Sequence, residues 1–463
     1  MMEYDDFLES KKFKVNFKSV DIKRDDLNKS LFEYQKDLVY LALKKGHFAL
    51  FAMTGSGKTA MQVEFAYQVW KAEQKPILIL APLAVSHQTV DEAKNLLGYD
   101  VNLASDQSEI INGINITNYE KLDHFDADEF IAIILDESSI LKAFTGKTRD
   151  AIIKRFESTP YKLACSATPA PNDHMELGNH SEFLNVMSRS EMLAMFFVHD
   201  GGETSKWRLK GHARDKFWEF VSGWSAVFTK PSDIGYSVEE DKKFQLPKKT
   251  TIEHIVRSES TTQLFATHAE TLQERRQAKR DSLELRCKIT ADLVNNSDDI
   301  WLVWCELNDE SSMLKKLINE SVEVKGSDKD DHKTKSMHDF ASGKIKCLVT
   351  KPKIAGFGMN WQVCHNVAFA SVSDSFEQFF QASRRVYRFG QKHDVNVHIA
   401  ISEAEGSIKA NIARKEKDFL IMIDEIVAHT KSQTLKEIKQ VSIEKTEYKP
   451  LAEMKLPLFL KEI

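Results

Sequence analysis

The stretch AMTGSGKT, from Ala52 to Thr59, decides the fold of this chain. It follows the apolar run HFALFA (47–52) and precedes the helical pattern AMQVEFAYQVW (60–70). A strand, a glycine-containing loop and a helix in this order are typical of a phosphate-binding loop. The backbone N–H groups of such a loop and the N-terminus of the next helix attract an anion. The sequence therefore predicts a phosphate site at one edge of an α/β sheet.

The residue types within this loop predict which phosphorylated ligand it takes. Gly55 and Gly57 allow tight turns and a close approach of the backbone to the phosphates. Lys58 is expected to reach the β- and γ-phosphates, and the Thr59 hydroxyl to bind Mg²⁺. We therefore expect ATP and Mg²⁺ as cofactors, held by the loop residues Thr54, Gly55, Ser56, Gly57, Lys58 and Thr59.

An acidic pair follows another apolar run, in IAIILDESS (131–139). In an open α/β sheet, ligand-binding groups lie at the carboxyl ends of the strands. Asp136 is suited to hold Mg²⁺, partly through water, and Glu137 to orient or deprotonate an attacking water. An Asp-Glu pair by itself is more often a solvated loop or a helix cap. The strand before it and the phosphate loop upstream favour the functional interpretation.

Short apolar runs alternate with helical patterns along most of the chain, which is typical of parallel sheets with helices on their faces. We predict an α/β fold with two RecA-like parallel-sheet lobes and a helical insertion between them. The expected strands are 47–52, 76–82, 114–117, 131–135 and 161–165, then 298–305, 344–350, 366–370 and 395–401. The expected divisions are an N-terminal extension (1–29), lobe 1 (30–185), a helical insertion and linker (186–260), lobe 2 (261–430) and a tail (431–463).

Composition limits the classes of protein to which the chain can belong. It is 42% hydrophobic and 29% charged, with a net charge of -5, which argues against a basic coat for DNA but allows a local basic groove. No apolar run reaches the length of a membrane helix, and the charged start lacks the apolar core of a signal peptide. We therefore expect an intracellular protein. Its five cysteines form no CxxC pair, which favours reduced structural thiols over a zinc site.

The motifs, taken in order, resemble those of the superfamily-2 helicases and, within them, the Swi/Snf-like translocases. Small forms from phage and other mobile elements look most similar. The resemblance covers roughly residues 30–400, and its segments are LFEYQ (31–35), ILILAPLAVSHQTVDEA (77–93), INITNYEKL (114–122), DESS (136–139), CSATPAPND (165–173), IWLVWCEL (300–307), KIAGFGMNWQ (353–362) and QASRRVYRFGQ (381–391). It implies an ATP hydrolase acting on nucleic acid, with Gln35 as the adenine-reading residue.

The last of these segments is long and specific, because it combines two arginines with a terminal Arg-x-Gly-Gln. The resemblance implies that Arg388 supplies an arginine finger and that Arg385 makes a second phosphate contact. An arginine from the opposite lobe can neutralise charge on the γ-phosphoryl oxygens in the transition state. A run such as RRVYR is ordinarily interpreted as the solvated face of a helix. Because this run follows a phosphate loop in the order typical of the family, we favour a catalytic role for its arginines.

The resemblance also implies a nucleic-acid groove across both lobes. Residues expected there are Thr117, Asn118, Tyr119, Gly356, Gly358 and Asn360. Hydroxyl, amide and N–H groups bind phosphate without reading sequence, so DNA is favoured only by the family and RNA remains open. One departure is Ser139, which stands where many relatives have histidine or glutamine. The hypotheses are a duplex-DNA translocase, a strand-separating helicase of DNA or RNA, and an ATP-switched DNA-binding module that does not move.

Overall fold

The computed structural model describes residues 17–142, 146–170, 173–199, 207–257, 280–356, 359–373, 375–403 and 406–442. Its architecture is two α/β lobes, each built on a wholly parallel sheet. This confirms the fold class expected from the alternation of apolar runs and helical patterns.

The first lobe contains a seven-stranded sheet in the order β3-β4-β2-β5-β6-β1-β9. The strands in this half of the chain are β1 (His47–Ala52), β2 (Ile77–Ala81), β3 (Val101–Leu103), β4 (Ile114–Asn118), β5 (Ala132–Asp136), β6 (Tyr161–Ser166), β7 (Phe197–His199), β8 (Trp207–Leu209) and β9 (Ser225–Phe228). Strands β7 and β8 form a separate antiparallel pair. The apolar strand residues are buried on both faces, as expected for a parallel sheet covered by helices.

Helices cover both faces of the first sheet. They are α1 (Glu33–Lys45), α2 (Lys58–Glu73), α3 (Leu83–Glu92), α4 (Lys147–Arg155), α5 (Leu177–Phe183), α6 (Arg189–Phe196), α7 (Arg214–Trp224) and α8 (Val238–Lys242). Register places the carboxyl ends of the central strands together, since Phe51 pairs with Ser166 and Asp136 with Cys165. The phosphate loop and the acidic pair therefore emerge at the same edge.

The second lobe contains a six-stranded sheet in the order β10-β15-β14-β11-β13-β12. Its strands are β10 (Lys249–Val256), β11 (Trp301–Trp304), β12 (Ser321–Glu323), β13 (Cys347–Thr350), β14 (Asn366–Phe369) and β15 (Val395–Ser402). Its helices are α9 (Leu283–Asn295), α10 (Asn308–Leu317), α11 (Asp330–Ala341), α12 (Pro352–Ala355) and α13 (Phe376–Ser383). A buried ion pair between Arg286 of α9 and Glu310 of α10 joins two of these helices, with 2.8 Å between Nη1 and Oε1.

The segment expected to be a helical insertion and linker also contributes strands to both sheets. Strand β9 pairs with β1 and completes the first sheet, and β10 pairs with β15 in the second. The aromatic residues of α7 pack into the core of the first lobe. Trp224, for example, lies 6.2 Å from Phe51 of β1, measured between ring centroids. The segment is helix-rich, but its strands belong to the two lobes on either side.

One long helix, α14 (Gly406–Ser442), follows the second lobe and crosses the boundary expected at residue 430. Its first half packs on the second lobe, where Phe419 lies 5.4 Å from the ring centroids of Phe376 and Phe380. Its second half returns to the first lobe, where Glu437 pairs with Lys45 at 2.8 Å. The helix therefore joins the two lobes along their side. No helix among the described residues is long and apolar enough to cross a membrane.

Candidate functional site

A cleft of about 600 Å³ lies between the lobes, at the carboxyl edge of the first sheet. The first lobe lines it with the phosphate loop and the acidic pair Asp136 and Glu137. The second lobe lines it with Asn360, Arg385 and Arg388. Every residue expected to contact ATP or Mg²⁺, apart from Ser56, lines this single cleft, and Ser56 lies in an adjoining cavity.

The phosphate loop needs glycine at two positions where the backbone turns to positive φ. Gly55 has φ +91°, and a Cβ there would lie 2.7 Å from the backbone nitrogen of Phe389 in the second lobe. Gly57 has φ +77°, and α2 begins at the next residue. Glycine tolerates both conformations, and its lack of a side chain lets the second lobe approach the loop. The loop is therefore part of the contact between the lobes.

Lys58 lies at the N-terminus of α2 with its amine over the loop backbone. Its Nζ donates to the carbonyl of Ala52 at 2.8 Å. Burial lowers the pKa of Lys58, whereas the nearby carboxylates of Glu137 and Asp136 raise it. The amine and the two carboxylates thus form one electrostatic group, able to bind a phosphate and a divalent cation together.

Asp136 is held in place by two residues that were not expected at the ATP site. Gln62 of α2 donates from Nε2 to its Oδ1 at 2.7 Å, and the Tyr119 hydroxyl donates to its backbone carbonyl at 2.7 Å. Burial and the adjacent charge of Glu137 raise the pKa of Asp136 to about 6. A carboxylate destabilised in this way gains from a cation in the cleft. The signal for Gln62 was its position one helical turn after Lys58.

Glu137 has φ +55°, an uncommon backbone conformation for a non-glycine residue. Its Oε2 is buried and has no hydrogen-bond partner among the described residues. Strained backbone of this kind is concentrated at functional sites, where the surrounding structure holds it. The geometry leaves one carboxylate oxygen available to a ligand or a water in the cleft.

The two arginines of the second lobe differ in how firmly they are held. Arg385 is 1% exposed, and it donates to the backbone and the side chain of Gln381 and to the carbonyl of Met359. Arg388 is less buried and donates to the same Met359 carbonyl at 3.3 Å. Burial lowers the pKa of both, that of Arg385 to about 10. Arg385 is therefore a fixed part of the wall, whereas Arg388 lines the same cleft with its side chain partly exposed.

Two contacts between the lobes were not expected from the sequence. The backbone N–H of Asn360 donates to Oε1 of Gln88, on α3, at 2.8 Å. Gln88 in turn donates to Glu92, whose charge acts on Arg388. The second contact joins Gln381 to Thr168, in CSATPAPND, at 3.3 Å. Both hydrogen bonds join the first lobe to the second lobe.

Gln35 is placed against the phosphate loop. Its Nε2 donates to the Ser56 carbonyl at 3.0 Å, and its Oε1 accepts from the Phe32 backbone N–H at 3.0 Å. A Cβ on Gly57 would lie 2.2 Å from this amide. The side chain thus ties the start of α1 to the loop, and both amide atoms have protein partners.

A second cleft between the lobes, of about 480 Å³, adjoins the first through Glu137. Lysines from both lobes line it, namely Lys142, Lys333 and Lys353, together with the carboxylates of Glu120 and Glu377. Lys142 pairs with Glu377 across the cleft. Ser139, the departure in DESS, is buried in its wall. The cleft offers positive charge from both lobes beside the acidic pair.

The residues expected to contact nucleic acid are mostly interior. Thr117, Asn118 and Tyr119 are buried; Asn118 caps the following turn at the Lys121 N–H, and Tyr119 bonds to Asp136. Gly356 is buried at the end of α12, and Asn360 lies at the contact between the lobes. Gly358 lies outside the described residues. A nucleic-acid role for these six positions therefore stays a prediction that rests on the motif resemblance.

Comparison with known proteins gave matches to two family models. Residues 28–171 match the model described as "Type III restriction enzyme, res subunit", and residues 282–390 match "Helicase conserved C-terminal domain". No curated protein sequence matches the chain. Among solved structures, the chain is similar to the Sulfolobus solfataricus SWI2/SNF2 ATPase core in complex with dsDNA, at 18% identity and a TM-score of 0.41, over 90% of this chain and 98% of that one.

Proposed function

Because this chain belongs to the superfamily-2 helicases, with one family model on each lobe, we propose that it is a nucleic-acid-dependent ATPase that translocates along DNA. The observation that carries the proposal is the single cleft in which the phosphate loop and the acidic pair face Arg385 and Arg388. Neither lobe contains all of these groups. The arrangement fits an enzyme whose active site is complete only when the lobes are together.

Within that cleft, each group has a role suited to its placement. Lys58 and the loop N–H groups bind the β- and γ-phosphates, and Thr59 and Asp136 hold Mg²⁺. Glu137 orients the attacking water and accepts its proton through the oxygen that has no described partner. Arg388 neutralises charge that develops on the γ-phosphoryl group. Binding of ATP thus favours closure of the lobes, and hydrolysis removes the γ-phosphate that joins them.

The second cleft supports the nucleic-acid part of the proposal. Its lysines come from both lobes, so a phosphate backbone lying there would contact each lobe separately. Opening and closing of the nucleotide cleft would then shift one set of backbone contacts relative to the other. DNA is proposed over RNA because QASRRVYRFGQ resembles the motif of the Swi/Snf-like branch. Contacts of this kind are electrostatic, so affinity should fall steeply with salt.

Two other functions share part of this evidence. A strand-separating helicase, of DNA or RNA, would use the same two clefts and differ only in its product. A switch that binds ATP without moving would need neither a water-orienting carboxylate nor an arginine from the other lobe. The presence of Glu137 and Arg388 in the cleft favours an enzyme that turns over.

The test is the steady-state ATPase rate of the full chain with no polynucleotide, single-stranded DNA, duplex DNA, forked DNA and RNA. We expect duplex DNA to give the largest increase in kcat. This increase should not require that the protein separate the strands of a labelled duplex. The largest increase with RNA would assign an RNA helicase instead. Equal rates under all five conditions would contradict the motor and favour the switch.

A further inference from the structure

The turn that follows the acidic pair is held by helix α5 of the first lobe. This turn is a short 3-10 helix, Ser138–Lys142, which begins directly after Glu137. Two neighbouring polar residues of α5 bond to it, one at each end. At the far end, Asn179 donates from Nδ2 to the carbonyl of Leu141 at 2.7 Å. The turn is therefore fixed to α5 at the end away from the acidic pair.

His180, the next residue of α5, is bonded to the near end of the turn. Its Nε2 lies 3.1 Å from the hydroxyl oxygen of Ser138, and both residues are fully buried. The ring also meets the ring of Phe51 edge-on, with 5.0 Å between the centroids and an interplanar angle of 83°. Phe51 lies near the end of β1, just before the phosphate loop. His180 thus lies between the strand that leads into the phosphate loop and the turn that leaves the acidic pair.

The position of the Glu137 carboxylate depends on the backbone on either side of it. Its Oε2 has no hydrogen-bond partner among the described residues, so no bond to this oxygen anchors the side chain. Before Glu137, the Tyr119 hydroxyl bonds to the carbonyl of Asp136 at 2.7 Å, and after it His180 bonds to Ser138. The φ of +55° at Glu137 is of the kind that persists only where the surroundings hold it. The contact of His180 is one of the two that flank this residue.

A buried histidine at this place in α5 calls for an explanation, because an apolar residue would be less costly. Burial lowers the pKa of His180 to about 4, although backbone groups of Glu176 and Ser138 act to raise it, so the ring is neutral near pH 7. Burying a polar ring costs free energy unless its nitrogens find partners, whereas a leucine would fill a similar space without that cost. The hydrogen bond to Ser138 accounts for a polar ring at this point.

We propose that His180 is a positioning residue for hydrolysis, which holds Ser138 and thereby keeps the Glu137 carboxylate where it can activate water. The inference rests on the proposed ATPase function and adds a residue to that site. His180 does not line the nucleotide cleft, so its effect on the reaction passes through Ser138. A displacement of a catalytic group by about 1 Å can lower a rate about 100-fold. Loss of this hydrogen bond should therefore lower kcat, while the phosphate loop still binds the nucleotide.

The test uses the full chain with saturating duplex DNA and compares two substitutions of His180. His180→Leu removes the hydrogen bond and keeps an apolar side chain of similar size, whereas His180→Gln keeps a polar group that can reach Ser138. We expect His180→Leu to lower kcat by about 10- to 100-fold. The Kd of a fluorescent ATP analogue should stay within about threefold of the wild-type value. His180→Gln should restore kcat to within about threefold of wild type, because the bond to Ser138 can form again.

Two further variants separate positioning from general damage to the lobe. Ser138→Ala removes the same hydrogen bond by deleting one oxygen, so it should lower kcat to the same extent. It decides the question if thermal unfolding shows that His180→Leu is not folded. His174→Leu is the matched control, since the ring of His174 also packs edge-on against an aromatic residue, Trp218 of α7, at 5.1 Å. This control should leave kcat within about twofold of wild type.

A kcat within about twofold of wild type in folded His180→Leu or in Ser138→Ala would overturn the inference. It would also be overturned by a loss of kcat that is matched by a rise in Kd, that His180→Gln does not reverse, or that His174→Leu shares. Each of these results would mean that the substitution damages the lobe as a whole. Failure of the proposed function gives a different result, because the wild type would then hydrolyse no ATP with any polynucleotide.

Discussion

Replacement of Arg388 by alanine tests whether the second lobe completes the active site. Arg388 lies in the cleft with the acidic pair, and the charges of Glu92, Glu137 and Asp136 all act on it. An arginine that stabilises the transferring phosphoryl group is worth about 10³–10⁵ in kcat. At about 1.4 kcal/mol per tenfold, Arg388→Ala should therefore raise the barrier by about 4–7 kcal/mol.

The affinity of Arg388→Ala for ATP should change much less than its kcat. Lys58, the loop N–H groups and Mg²⁺ remain, so the Kd for ATP should rise by no more than about tenfold. The assay is steady-state hydrolysis with saturating duplex DNA, paired with titration of a fluorescent ATP analogue. Arg388→Lys keeps the charge but not the planar fork, and should recover only part of the loss.

Arg385→Ala shows what is expected when an arginine that also stabilises the fold is removed. Arg385 is buried with bonds to Gln381 and Met359, so its loss should lower the Tm as well as kcat. Arg388→Ala should leave the Tm nearly unchanged, since Arg388 is less buried. If Arg388→Ala hydrolyses ATP within about tenfold of the wild-type rate, the arginine is not a finger and the two-lobe mechanism is wrong.

Three further outcomes follow from the same cleft. Lys58→Ala should weaken ATP binding and abolish turnover. Glu137→Gln should bind ATP normally but lose turnover, because this substitution removes only the activation of water. Wild-type-like turnover in Glu137→Gln would contradict the role of that carboxylate. Since burial and Glu137 raise the pKa of Asp136 to about 6, its stabilising contribution is present at low pH and is lost as the pH rises from about 4 through 6. Asp136→Asn should therefore raise the Tm near pH 7.5 without Mg²⁺ and change it little near pH 4, and an equal shift at both values would refute this. A fragment ending near residue 245 that circular dichroism shows to be folded should have no DNA-stimulated turnover, measured by phosphate release, because it lacks both arginines. Full activity would show that one lobe suffices.

The sequence predicted much of the fold because its central strands carry a local signal. Runs such as PILILAP and IAIIL are continuous and apolar, and only a parallel strand buried on both faces accounts for them readily. Strand β9 carries no such signal, because SAVF continues an aromatic helical pattern and its partner β1 is distant in sequence. Strand β10 falls in the segment predicted to be a linker, since a Pro-Lys segment precedes it and polar residues alternate along it.

The candidate site was predictable to the extent that its groups occur in motifs. The order and spacing of the motifs indicate the roles of Lys58, the acidic pair and the two arginines. Gln62 lies on a helix face, where a polar residue is usually solvated, and the segment that contains Gln88 and Glu92 does not indicate their partners. Their contacts arise only after the sheet brings α2 beside β5 and the lobes bring α3 beside Asn360. Such pairings depend on tertiary structure and leave no local pattern.

The path of α14 bears on the order in which the protein can fold as it is synthesised. Domains made first on the ribosome generally fold first. Here, Ile438 belongs to the core of the first lobe, and Trp218 of α7 is covered by His429 at 6.2 Å. These contacts join residues that are far apart in the sequence, and such distant pairings form slowly. The first lobe therefore gains these last contacts only after the final helix has left the ribosome.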